Sequence, residues 1–299
     1  AQDVCGQGWI LVPGDSRFGT SNFCLMKYEA KNINGQAISQ AAGTPWANVI
    51  WNDAYKIAAT ACANCHLVSD AEWMTVSANV LSVAGNWSGG AVGVGAVYRG
   101  HNDNDPAQAL AASTDDTNGY YGTNNTSGDQ RRTLTLTNGE VVWDLSGNMQ
   151  ELTDALVAGG QQPGFSGEAA YAAKEWNDSA LIWNGFPVAS RPSAINSAAA
   201  GYSTAQGIGY IYSNAGETAV STLVRGGTWI SIKPTGVLAI GFGFNPMATT
   251  NASTGFRVAK GLNDQPVQMP QPSSCPTGFI PVPGNAAVGT AGFCVMKYE

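Results

Sequence analysis

Cys62-Ala63-Asn64-Cys65-His66 is the most chemically suggestive run in the chain. A C-x-x-C-H run is the attachment signal for c-type haem, in which two thioethers hold the porphyrin and the histidine ligates iron. The same residues can instead form a local disulfide, or buried thiols at a helix end, and we take that as the expectation for Cys62, Cys65 and His66. The other four cysteines fall into two equally spaced pairs, Cys5 with Cys24 and Cys275 with Cys294. Repeated spacing of this kind suits disulfides formed in an oxidising compartment. The only histidines are His66 and His101, so the sequence supports neither a Ser-His-Asp arrangement nor a multi-histidine metal site.

Several elements could position such residues. The chain has 299 residues, of which 44% are hydrophobic, enough for a substantial core. Charged residues are only 12%, and Gly, Ser, Thr and Asn are abundant, which favours a loop-rich fold with β-structure. The net charge of −7 and the scattered basic residues argue against nucleic acid as a partner. No run is long and apolar enough for a transmembrane helix. The opening Ala-Gln-Asp resembles the start left by signal cleavage, so the expected location is extracellular, secreted or cell-surface.

Apolar spacing at Ala54, Ile57, Ala58 and Ala61 predicts a helix from about Asn52 to Ala63. Ser69 followed by Glu72 predicts a capping box for a second helix running toward Leu81. "RRTLTLTNGEVVWDL" predicts a hairpin with a type I′ turn at Asn138-Gly139. Residues 155–222 read as long ordered loops. In "GVLAIGFGF", Leu238, Ile240, Phe242 and Phe244 alternate with Val237, Ala239, Gly241 and Gly243, as in a strand with one packed face. The proline-rich stretch 263–274 reads as a linker after a domain spanning 1–262. Beyond it, "CPTGFIPVPGNAAVGTAGFCVMKYE" (275–299) repeats "CGQGWILVPGDSRFGTSNFCLMKYE" (5–29).

The phrases "WILVPGD", "KYEAKN", "PWANVIWNDA", "HLVSDAEWM", "WDLSGNMQEL", "VRGGTW" and "TGFRVAK" stand in the order and spacing of the formylglycine-generating, or sulfatase-modifying-factor, family. The chain resembles that family from about Gly8 to Lys260. "FCLMKYEAK", "AEWMTVSANV" and "GYYGT" are similar in style to its secreted non-enzymatic members, the variable proteins of diversity-generating retroelements among them. The resemblance implies an α+β fold of C-type-lectin-like form, with a small twisted antiparallel sheet, two main helices and extensive ordered loops. It also implies that this chain is not an enzyme. The family's enzymes use a closely spaced cysteine pair after the "RGGSW" phrase, and here no cysteine occurs between Cys65 and Cys275.

By the same resemblance, Asp144, Gly147, Met149 and Glu151 match a structural Ca²⁺ site made of a side-chain oxygen, two carbonyls and a glutamate. Gln150 and Leu152 depart from the tryptophans usual there. The competing reading has Asp144 capping a turn and Glu151 facing solvent. Asn102, Asp103, Asp116 and Asn118 match a second such site, or equally a pair of solvated loops. The diversified surface of the variable proteins corresponds to Thr228, Ile230, Ser231, Ile232, Lys233, Ala239, Gly241, Gly243, Thr249, Asn251 and Ser253. The expected function is therefore presentation of a lectin-like surface to a protein or glycan ligand. The alternative is a structural subunit of an extracellular filament, joined to other copies of itself head-to-tail through residues 275–299.

Overall fold

The computed structural model describes residues 4–231, 235–242, 245, 248–262, 279–282 and 293–297. In chain order the first elements are β1 (Trp9–Val12), β2 (Phe23–Met26), β3 (Lys31–Ile33), β4 (Gln36–Ile38), α1 (Trp51–Thr60), β5 (Cys65–Leu67) and α2 (Asp70–Leu81). They are followed by β6 (Thr133–Thr135), β7 (Val141–Trp143), β8 (Gln150–Val157), β9 (Ala172–Lys174), β10 (Ile211–Ser213) and β11 (Ser221–Arg225). The last are β12 (Ile240–Gly241), β13 (Thr254–Phe256), β14 (Val258–Gly261), β15 (Phe279–Val282) and β16 (Phe293–Met296). The fold is mixed α+β, mostly sheet, with two α-helices among the described residues. No described helix is long and apolar enough to cross a membrane.

One sheet has the order β1-β2-β14-β5 and is antiparallel throughout. The larger sheet, β13-β8-β11-β12-β10-β9, is mixed, because β13 runs parallel to β8 and β10 parallel to β12. A single antiparallel sheet was the expectation. The long excursions between β8 and β13, and between β10 and β12, let the chain return in the same direction, which no tight hairpin allows. β3–β4, β6–β7 and β15–β16 form separate two-stranded ribbons.

α2 starts as its sequence predicts. The Glu72 amide donates to Ser69 Oγ (3.2 Å), and the Ser69 amide donates to Glu72 Oε2 (2.8 Å), which satisfies free N–H groups at the helix start. Residues Glu72 to Leu81 are all buried, so this is a central helix and not a surface amphipathic one. Its Trp73 donates from Nε1 to the Val237 carbonyl (2.7 Å). The main core surrounds it, with Phe23, Leu25, Trp87, Phe186, Ile240 and Phe242. A second core lies against α1 and contains Met26, Ala54, Ala58, Leu67, Leu152 and Val258. Consecutive β2 residues Leu25 and Met26 thus enter different cores, which is why the strand is buried along its whole length.

α1 runs from Trp51 to Thr60 and stops short of the predicted Ala63. The chain there closes on itself through the Cys62–Cys65 disulfide, with Asn64 in the left-handed region (φ 58°). The β6–β7 hairpin forms, with a different turn from the predicted type I′. The Leu136 amide donates to the Glu140 carbonyl, and of Asn138 and Gly139 only Gly139 has positive φ, 87°. Type I′ needs both residues there; this is the three-residue loop ending in a left-handed glycine. Residues 155–222 contain β9 and β10 as well as loops, each strand too short to show alternation. The expected one-faced strand at 237–244 shrinks to Ile240–Gly241, and Val237, Leu238, Ala239, Ile240 and Phe242 are all buried. Gly243 and Phe244 lie outside the described residues.

β14 ends at Gly261, one residue before the expected domain boundary, while the linker 263–274 lies outside the described residues. Disulfide Cys5–Cys24 ties the chain before β1 to β2. Cys294 is disulfide-bonded, and Cys275 lies outside the described residues.

β5 is joined to α2 by an ion pair between His66 Nε2 and Glu72 Oε1 (2.9 Å). Burial disfavours the charged imidazole, but the Glu72 carboxylate overrides it and pushes His66 up to about 9. A raised basic group stabilises the fold fully below its ordinary value of 6.5, and that stability is lost as pH rises through 9. Thermal melts of the unsubstituted chain should therefore show Tm falling between these limits, and the slope should flatten in His66→Gln.

Candidate functional site

Three arginines are almost wholly buried, and each meets a carboxylate, supplied across the β6–β7 hairpin for Arg132 and by a distant element for Arg225 and Arg257. Arg132 donates to both oxygens of Asp144 at 2.7 Å, and its other nitrogens reach the carbonyls of Ala111 (2.8 Å) and Tyr121 (2.6 Å). Arg257 Nε donates to both Glu151 oxygens, at 2.8 and 3.0 Å, and Nη1 to the carbonyls of Met26 (3.2 Å) and Lys27 (3.0 Å). Arg225 holds Asp70 in the first turn of α2 through Nε (2.8 Å) and Nη2 (2.6 Å). Buried glutamate Glu29 accepts from the Met149 amide (2.9 Å) and from Asn148 Nδ2 (2.5 Å). Its burial, reinforced by the negative charge of Asp144, pushes its carboxyl up to about 8.

This cluster contains the first set of expected calcium ligands. Gly147 has φ +79°, and a Cβ there would lie 2.5 Å from the His101 carbonyl oxygen, so the loop from Asp144 to Glu151 is folded as tightly as glycine permits. The donor set nevertheless does not fit Ca²⁺. Guanidinium groups occupy the carboxylate oxygens of Asp144 and Glu151, where a cation would need them free. Glu151 is completely buried, so the competing solvent-facing reading does not describe it either.

The side chains of the second set are held by separate partners. Asp103 accepts from the Asp105 amide (3.1 Å) and Asn125 Nδ2 (3.2 Å), whereas Asp116 accepts from Lys27 Nζ (2.6 Å) and Trp143 Nε1 (2.9 Å). Asn102 pairs with Gln130, and the Asn118 amide caps a turn at Asp115. Among the described residues no group of three His, Cys, Asp or Glu side chains could hold a metal ion. The Cys62–Cys65 disulfide likewise removes the thiols that haem attachment requires, and His66 Nε2 is taken by Glu72.

The expected ligand surface does come together. A cleft of about 490 Å³ opens where β10, β11, β12 and the segment after β11 meet. Thr228, Ile230, Ser231, Ala239, Gly241, Asn251 and Ser253 line it. Thr249 is not in the lining, and Ile232, Lys233 and Gly243 lie outside the described residues. Gln150, Tyr210, Tyr212 and Val224 also line it, together with Gly227, Ile240 and Phe242. Gln150 and Tyr212 come from β8 and β10 and Tyr210 from the segment before β10, all far from the "RGGTW" phrase, while Val224 directly precedes that phrase but belongs to β11.

The local fold sets the rim. Arg225 anchors the end of β11, and Gly226 and Gly227 follow with φ of 89° and 76°. A Cβ on Gly227 would lie 3.0 Å from the Thr235 Cα, so glycine lets the two rim segments touch. The Thr228 and Ser231 hydroxyls then bond to each other (2.9 Å), and Asn251 Oδ1 accepts from both the Ser253 amide and hydroxyl at 2.7 Å. Tyr212 stacks on Tyr171 with ring centres 5.7 Å apart. Burial pushes the Tyr210 hydroxyl up to about 12, which keeps it protonated and able to donate at neutral pH.

No family model matches the chain, and no curated protein matches it.

Two outcomes follow from the buried arginines. Arg257→Ala should lower stability by about 3–5 kcal/mol in urea titrations, because it leaves the Glu151 carboxylate buried without its partner. Excess Ca²⁺ or a chelator should leave Tm unchanged, since the carboxylates that would bind the ion already hold arginines.

Proposed function

We propose that this chain is a non-catalytic extracellular binding protein that presents the cleft at Thr228–Ser231 to a protein or glycan ligand, on a lectin-like fold of the formylglycine-generating type. The observation that carries this reading is the chemistry of the cleft. Ile230 and Tyr212 are 50% and 41% exposed at its rim, beside hydroxyl and amide groups and with no charged side chain in the described lining. Exposed apolar and aromatic side chains ringed by neutral hydrogen-bonding groups are the composition of recognition surfaces. Among the described residues of the lining there is no cysteine, histidine or carboxylate to act as nucleophile, base or metal ligand, which supports binding over catalysis. Disulfides Cys5–Cys24 and Cys62–Cys65 support an oxidising, extracellular setting.

The test is a screen of immobilised glycans and surface proteins followed by titration of any ligand found. Ile230→Ser and Tyr212→Ala should each weaken binding by about tenfold, as expected for interface anchors. Their Tm should stay near that of the unsubstituted chain. Unchanged affinity in both variants would remove the cleft from the recognition surface.

A further inference from the structure

β15 and β16 pair in the register of β1 and β2. Phe279 faces Met296, Ile280 faces Val295, Pro281 faces Cys294 and Val282 faces Phe293. In the first hairpin Trp9 faces Met26, Ile10 faces Leu25, Leu11 faces Cys24 and Val12 faces Phe23. Over the described residues the duplicated sequence has thus become a duplicated strand pair in the same register.

The two hairpins differ in what covers them. β2 is hydrogen-bonded to β14, with Leu25 opposite Ala259 and Cys24 opposite Lys260, and one core packs on each of its faces. Ile10, Leu25 and Met26 are each 1% exposed. Their counterparts Ile280, Val295 and Met296 are 44%, 40% and 65% exposed, and β15–β16 is a two-stranded sheet by itself. An isolated two-stranded ribbon is marginal in water and gains stability from a third strand and apolar cover. The side chains that would supply both are already shown by this chain, around β1–β2.

The arm has kept what that seat reads. Phe293, Cys294 and Met296 repeat Phe23, Cys24 and Met26, and the following Lys-Tyr-Glu repeats Lys27, Tyr28 and the buried Glu29. Its proline, Pro281, stands at the position of Leu11 on the outer strand, where no further strand needs an N–H; β16, the counterpart of the strand that meets β14, contains none.

We propose that β15–β16 docks on a second copy of this chain, entering the place of β1–β2 beside β14 in a head-to-tail strand exchange. A second copy is the one partner certain to offer the matching strand, register and pair of apolar covers. The contact is heterologous, so repeated use closes a ring or extends a filament. Docking is an exchange, because each copy has one such seat and its own hairpin fills it. Trp9, Phe18 and Leu25 are larger than their sequence counterparts Phe279, Val288 and Val295, so the resident hairpin is preferred and the arm enters when that hairpin is loosened. The proposal is independent of the ligand cleft, which lies in the other sheet.

The test uses two full-length chains. The acceptor carries Ile10→Asp and Leu25→Asp, which loosen its resident hairpin, with Ile280→Asp and Val295→Asp, which disable its own arm. The donor is the unsubstituted chain. Adding donor should raise the acceptor's Tm by several degrees, about 5 °C for a domain of this size, and light scattering should show a one-to-one complex. No rise, or an equal rise with a donor carrying Ile280→Asp and Val295→Asp, overturns the proposal. If the acceptor does not fold alone, it is refolded together with donor after Ala259→Cys is added to the acceptor and Val295→Cys to the donor. These positions repeat the Ala259–Leu25 pair, so a cross-chain disulfide is expected. Its absence overturns the docking. So does a chain with Ile10→Asp, Leu25→Asp and an intact arm that recovers full stability as a monomer, since the arm then serves its own domain.

Discussion

The Arg257–Glu151 pair is the contact on which the rest of the architecture depends. Arg257 lies between β13 and β14, Glu151 is in β8 of the larger sheet, and the carbonyls that Arg257 also binds follow or end β2. One guanidinium therefore joins both sheets and the first hairpin. A buried ion pair adds little net stability over a well-packed apolar substitute, but losing one partner is costly, so such a pair strongly disfavours other arrangements. Arg132–Asp144 and Arg225–Asp70 act in the same way, the first on the β6–β7 ribbon and the second on α2. In a chain with so few charged residues, these are concentrated where elements cross.

The cleft is a product of that frame. Arg225 holds the end of β11 to α2, so the Gly226-Gly227 turn and the Thr228–Ser231 rim start from a rigid point. The side-chain bonds of the rim are short-range, Thr228 to Ser231 and Asn251 to Ser253. A binding surface with its supports placed behind it loses little conformational entropy when a ligand arrives. The two hairpins show the opposite case. The same sequence pattern is buried once, where a strand and two cores await it, and left exposed the second time; burial belongs to the seat as much as to the strand.

Local signals were legible wherever neighbouring residues decide the outcome. Ser69 and Glu72 announce the start of α2 because both partners of the capping box lie within one turn. The Cys5–Cys24 disulfide follows from its repeated spacing, whereas for Cys62 and Cys65 the sequence left a disulfide and free thiols open and the structure shows the disulfide. The β6–β7 hairpin was legible too, but its turn type was not, since Asn138-Gly139 is compatible with more than one loop and the register chose between them. Thr228, Ile230, Ser231, Asn251 and Ser253 could be grouped from sequence, whereas Tyr210 and Tyr212 could not, because only the strand order brings β10 beside β12.

By itself the sequence determined the two helices, the repeat of residues 5–29 at 275–299 and the Cys5–Cys24 pairing. Tertiary structure decided the partners of Asp70, Asp144 and Glu151. Asp144 and Glu151 have the spacing of metal ligands, yet arginines reach them, one of them 106 residues away. Spacing along the chain limits which atoms can meet locally. Which of several opposite charges arrives at a buried carboxylate depends on how the sheets pack, and that is settled only when the whole core closes.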